Sequence, residues 1–160
     1  MRILSLIEEG GTPSVRELSA LFDALAPITP ADLEGDWSGG DFHDTDDASS
    51  REEPAPVHPC HAMLESYRWA GMVVRGPDDV LPVMSWTDGG ERVHMTKAKK
   101  INPQLREVKY RGVVSTSLIF DAYPIIDHFR RVSDNTLMAL FEAKDKALKE
   151  AGPYFFWVRK

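Results

Sequence analysis

From Val80 onward the chain is a succession of short runs rich in Val, Ile, Thr and aromatic residues, separated by turn residues at near-regular intervals. Such a pattern predicts antiparallel strands joined as a meander. The runs fall at 80–86, 91–96, 106–111, 113–121, 125–132, 135–142 and 153–159. Asp88-Gly89-Gly90 and Ser133-Asp134-Asn135 supply the tight turns of two hairpins. Lys144 to Ala151, with Ala147 and Leu148 among charges, reads as a short helical or loop excursion. An open sheet of this size leaves two exposed edges, and closure is the usual way to remove them. The expected fold is therefore mainly β, an antiparallel lipocalin-like β-barrel preceded by an N-terminal helix. A barrel of about eight strands has room inside for one small ligand.

A chain of 160 residues suits a single domain, 1–160. Within it, residues 14–33 form an N-terminal helix and turn, 43–59 a mobile acidic loop and 80–159 the strand-rich barrel core. The helix begins with a capping box, Ser14 and Glu17, and puts Leu18, Leu21, Phe22 and Leu25 on one face. Pro27 and Pro30 end it, and Thr29-Pro30 opens one further turn. The 43–59 loop holds Asp44, Asp46, Asp47, Glu52 and Glu53 with almost nothing apolar to anchor it. Residues Cys60 to Trp69 carry Met63, Leu64, Tyr67 and Trp69 in a short, roughly helical pattern.

The net charge of −6 argues against a nucleic-acid partner, which needs excess Lys and Arg to displace counterions from phosphate. No stretch approaches the ~20 apolar residues of a membrane span. The apolar run at residues 3–7 is too short for a signal-peptide core, and Cys60 has no partner for an intramolecular disulfide. The expected location is therefore cytoplasmic. Arg92, Lys97, Lys99, Lys100, Arg106, Lys109 and Arg111 crowd one hairpin region, either as a solvated face or as a basic rim that greets an anionic headgroup.

Gly35-Asp36-Trp37-Ser38-Gly39 resembles the signature of the bacterial GXWXG domain family, whose function is unassigned. Tyr67-Arg68-Trp69-Ala70-Gly71, Tyr110-Arg111-Gly112 and the stretch from Phe120 to Arg130 resemble the rest of that family and its C-terminal partner module. A second likeness is to lipocalins and other calycins, whose first strand opens with Gly-x-Trp after a short helix and whose last strand supplies an Arg that covers the Trp. That resemblance implies a structural pair, Trp37 and Arg159, plugging the base of a barrel, with the guanidinium lying over the indole.

The richest stretch for chemistry is Asp121 to Arg130. Strand period two puts Tyr123, Ile125, Asp127 and Phe129 on one face and Ile126, His128 and Arg130 on the other. Asp127 and His128 then point opposite ways, which argues against a dyad between them. An inward Asp127 requires a partner or a ligand, with Ser115, Ser117, Tyr110 and Arg111 as candidates; pairing to a structural Arg is the plainer alternative. His43, His58, His61, His94 and His128 have no recognised metal-ligand spacing, and neither a metal nor another cofactor is expected. Cys60 beside His61 lacks a third orienting group and reads as a buried free thiol.

Two functions are consistent with these features. One is a non-enzymatic binding protein for a small apolar or amphipathic, lipid-like molecule, held by Ser115, Ser117, Tyr123, Asp127, Phe129, Tyr110 and Arg111. The other is a barrel enzyme of lyase or isomerase type that uses Asp127 as acid or base, with Tyr110, Tyr123 or Arg111 as helper.

Overall fold

The computed structural model describes residues 1–42, 57–95 and 101–160. Three helices open the chain: α1 (Arg2–Glu9), α2 (Val15–Asp23) and the single turn α3 (Pro30–Leu33). Ser14 caps α2 by accepting from the Glu17 amide at 3.1 Å. The Glu17 carboxylate does not return to the cap backbone; it pairs with Arg2 at 2.9 Å, so the expected box is half made. At α3 the Thr29 amide donates to Asp32 at 2.8 Å, and Pro30 occupies the first turn, where its missing N–H costs nothing.

The strands are β1 (Gly35–Asp41), β2 (Trp69–Gly76), β3 (Asp79–Trp86), β4 (Arg92–His94), β5 (Gln104–Tyr110), β6 (Val113–Ile119), β7 (Ile125–Ser133), β8 (Thr136–Ala143) and β9 (Tyr154–Arg159). Helix α4 (Pro59–Ser66) joins β1 to β2, and α5 (Lys146–Glu150) joins β8 to β9. All nine strands form one antiparallel sheet in the order β4-β3-β2-β1-β9-β8-β7-β6-β5. Seven of them coincide with the runs read from the sequence; β1 and β2 are additional.

The expected closed barrel is not what forms. No ladder joins β4 to β5 among the described residues. The Leu105 amide instead donates to Pro77 O at 2.7 Å in the β2–β3 turn, and Asn102 accepts from the Val80 amide at 2.9 Å. Turn and side-chain bonds thus occupy part of the edge that a closing strand would need, and β4 is only three residues long. The sheet nonetheless curls, because one core cluster joins Met72, Val74 and Val80 to Leu105, Leu118 and Phe129 across its concave face.

The convex face is covered too. Ile3 and Leu6 of α1 and Leu18 and Phe22 of α2 pack on Val132, Met138, Leu140 and Phe155. The link between α2 and α3 fills a gap where β6 and β7 separate, with the Arg131 amide donating to Ala26 O and the Thr116 amide to Ile28 O. Burial on both faces explains why β8 is buried at every position from Thr136 to Leu140. The acidic 43–59 loop lies, through residue 56, outside the described residues; His58 and Pro59 belong to the start of α4. No described helix is long and apolar enough to cross a membrane.

Candidate functional site

Cross-strand register builds the site at one end of the concave face. Leu118, Asp127, Phe141 and Tyr154 form one row across β6, β7, β8 and β9. Phe129, Ala139, Phe156 and Asp41 form the row beside it. Helix α4 closes over this end, positioned by His58 and Pro59: His58 Nδ1 accepts from the Cys60 amide at 3.1 Å, which leaves Nε2–H to donate to Gly152 O at 3.0 Å. The His58 ring stacks on Tyr154 at 4.9 Å. Cys60 and His61, in the first turn of α4, are both buried.

One half of the site is a dense polar cluster. The Tyr154 hydroxyl donates to Asp41 Oδ2, and the same oxygen lies 2.6 Å from His61 Nδ1. His61 Nε2 stands 3.4 Å from Glu65, which reaches solvent. The other half is Asp127, only 7% exposed, whose Oδ1 has no hydrogen-bond partner. Burial with no compensating cation raises its carboxyl to about 8, so at neutral pH it is mostly protonated. Burial first, and the Asp127 charge second, push the Cys60 thiol up to about 12. Burial and the Asp41 charge also push Tyr154 upward. The resulting chemistry is that of an apolar box with weak acids that hold their protons: Asp127 can donate a hydrogen bond or a proton, and Cys60 is no thiolate nucleophile.

The expected site residues scatter over both faces. Asp127 and Phe129 lie on the concave face, as the period-two reading places them. Tyr123 does not: it sits in the bend before β7 and is 53% exposed, because the strand begins only after Pro124, at Ile125. Ser115 is buried but structural, donating to Phe129 O at 2.6 Å and accepting from the Ile28 amide at 3.0 Å. Ser117, Tyr110 and Arg111 gather on the opposite side around His128. Ser117 Oγ lies 2.9 Å from His128 Nδ1, Glu142 lies 2.5 Å from Nε2, and Tyr110 stacks on the imidazole at 3.7 Å. None of these three meets Asp127. Among the described residues no group of three or more His, Cys, Asp or Glu is arranged to hold a metal ion.

Residues 20–90 match the GXWXG protein family. Residues 102–160 match a domain of unknown function, DUF4334. The chain is also similar to a protein from Thermomonospora curvata whose crystal structure superposes with a TM-score of 0.81, at 29% identity over 99% of this chain and 95% of that one. Among curated proteins none matches.

The GXWXG motif has a physical reading here. Gly35, Trp37 and Gly39 are two residues apart on β1 and so share one face. Trp37 is 1% exposed and donates its indole N–H to Leu33 O at 2.8 Å. A Cβ at Gly39 would collide with the indole of Trp69, so that glycine makes room for a second tryptophan. Gly71, at φ +115, takes a backbone shape L side chains rarely adopt, and a Cβ there would strike Trp37 O. Arg159 does not cover Trp37. Its guanidinium turns to Thr136 at 3.1 Å and Glu8 at 3.2 Å, while Lys160 Nζ sits 4.5 Å over the indole.

Asp41, Cys60, His61 and Tyr154 were not among the expected site residues. A signal existed in Pro59, a proline at the first helical position directly before the helical pattern that starts at Cys60, which marks where Cys60 and His61 enter a helix.

Proposed function

We propose that this chain binds a small, uncharged, largely apolar molecule at the α4 end of its concave face, with one polar atom of that molecule accepting a hydrogen bond from neutral Asp127. The observation that carries this reading is the buried Asp127 Oδ1 with no partner. Buried polar atoms are nearly always satisfied, and an exception calls for a ligand, a reaction or strain to explain it. Burial is also less complete for several side chains at this end. Asp127, Ala143, Tyr154, Phe156 and His61 retain 6–8% of their surface, whereas Trp37, Phe129 and Val158 retain 0–1%. Phe156 and Trp69 supply aromatic walls in edge-to-face contact, with the fully buried Phe129 packed edge-on behind Phe156. A lipocalin-like way of holding a ligand, inside a curled antiparallel sheet, fits this arrangement without requiring the sheet to close.

A second reading, acid–base catalysis by Asp127, is favoured by the convergence of two further proton-holding groups, Cys60 and Tyr154, on the same end. The two readings share a first test. Native mass spectrometry of freshly purified protein should reveal a co-purifying small molecule. Titration with the neutral probe N-phenyl-1-naphthylamine should then show binding that weakens above about pH 8, the value at which Asp127 gives up its proton, and an Asp127→Asn variant with no such pH dependence. Binding by wild type that is flat through this range, or that persists unchanged in Phe129→Ala, would place the ligand elsewhere. Conversion of a captured ligand by wild type and not by Asp127→Asn would select the catalytic reading.

A further inference from the structure

On the convex face, far in register from the Trp37 end, a cleft of about 200 Å³ opens between the β5–β6 turn and α5. Its apolar surface comes from Leu140, Ala143, Leu148 and Pro153, and Arg111 and Lys149 also line it. Glu142 is its acidic member, and its carboxylate is already bound to His128 at 2.5 Å. His128 is held in turn by Ser117 and by the Tyr110 ring. The floor is therefore fixed, its negative charge is hydrogen-bonded, and the two remaining charged groups are cations.

Arg111 carries a second mark. Together with Gly112 it forms a two-residue hairpin turn between Tyr110 and Val113, and both turn residues have positive φ, +47° and +77°. Such turns favour Asn, Asp or Gly at the first position, and another residue there carries a backbone cost. An arginine in this position is oriented as well as strained: Nη1 donates to Ser19 at 2.9 Å and pairs with Asp23 at 3.0 Å. These contacts use one nitrogen of a guanidinium that has five N–H donors.

We infer that this cleft binds a small amphipathic organic anion, a carboxylate with a short apolar body, with the anion between Arg111 and Lys149 and the apolar part against Leu140 and Leu148. The cleft shares Phe141 and Ala143 with the strand end that carries Asp127, but its two cations lie on the convex side, and the assignment does not rest on Asp127. The test is an NMR titration of the intact protein with hexanoate, with hexanamide as the neutral control of the same length. Hexanoate should give saturable shifts at the amides of Arg111, Lys149 and Gly152, and hexanamide should bind about two- to fivefold more weakly, the size of one exposed ion pair. Lys149→Glu, on the exposed face of α5, should weaken hexanoate by a similar factor, and Glu142→Gln should strengthen it. Equal affinity for the two compounds, shifts centred on Phe129 and Tyr154, or no saturable shift at the cleft would each overturn the assignment.

Discussion

Two consecutive residues of β7 meet opposite fates. Asp127 faces the concave core with a buried oxygen that bonds to nothing, while His128 faces the convex side with both ring nitrogens engaged and an aromatic ring stacked on it. Both are polar, both are almost fully buried, and both lie between the same two neighbouring strands. The difference separates a residue the fold uses from one the fold tolerates. His128 ties β6 to β8 and contributes to stability; Asp127 costs stability and contributes nothing to the unliganded chain. A polar group kept at a loss is the better marker of function.

The sharpest way to break this contrast is Asp127→Asn. Because the folded carboxyl titrates near 8 and the free one near 3.8, the unfolded chain sheds this proton first as pH rises. Wild-type stability should therefore fall between about pH 4 and pH 8 and level off above that. The full penalty, on the order of 5 kcal/mol from a shift of this size, is present only above pH 8. Asparagine removes it, so the variant should be the more stable protein at pH 9 and nearly equal to wild type at pH 4. Urea denaturation at the two pH values checks this; a variant less stable than wild type at pH 9 would mean that Asp127 has a partner and that the contrast is false.

His128→Ala should act in the opposite direction, with a loss of about 3 kcal/mol, combining a core cavity with an orphaned Ser117 hydroxyl. Desolvation holds the imidazole below its ordinary value, outweighing the Glu142 carboxylate that raises it. A buried neutral His contributes stability that is present above the unfolded value near 6.5 and is lost as pH falls below it. The alanine variant should lack that acid-side slope. Thermal melting from pH 7.5 to 5 would show whether the wild-type slope belongs to this residue.

Much of this contrast could be read from the chain alone. Alternation in Ile125 to Arg130 correctly separates the two faces of β7, because a two-residue period leaves no freedom once one face is apolar. The same rule, carried two residues further back, failed at Tyr123, since Pro124 stops the strand from starting earlier. Applied at the C-terminus it would have sent Lys160, not Arg159, to the Trp37 side, because Phe156 and Val158 are the concave-facing residues of β9. What local pattern could not supply is the meeting of Asp41 with Tyr154 and His61. That contact depends on β1 pairing with β9 across more than a hundred residues and on α4 folding over the end. Closure of the sheet failed for a similar reason: turn and side-chain bonds to β5 are invisible to strand counting.

The smallest expected effect gives the finest test. Ser117→Ala leaves the His128 ring in place but takes the partner from Nδ1, so it creates on the convex face the same kind of orphan that Asp127 presents on the concave one. A buried neutral nitrogen without its bond should cost about 1–2 kcal/mol, less than losing the whole imidazole. Nδ1 is the acceptor here, because Nε2 donates to the Glu142 carboxylate, and the Ser117 hydroxyl that donates to Nδ1 can accept from it once the ring is protonated. Without that hydroxyl the charged ring holds an unpartnered donor, which costs more than an unpartnered neutral acceptor. The variant's His128 should therefore titrate at a lower pH than the wild-type residue, and its deficit in stability should grow as the solution is acidified. Histidine ring NMR through the titration, paired with urea denaturation at pH 7.5 and 5.5, reads both quantities. A variant as stable as wild type at pH 7.5, with an unmoved His128 titration, would show that Ser117 contributes no bond. The convex face would then be as tolerant of unpaired polar atoms as the concave one, and the contrast between the two residues would no longer point to Asp127.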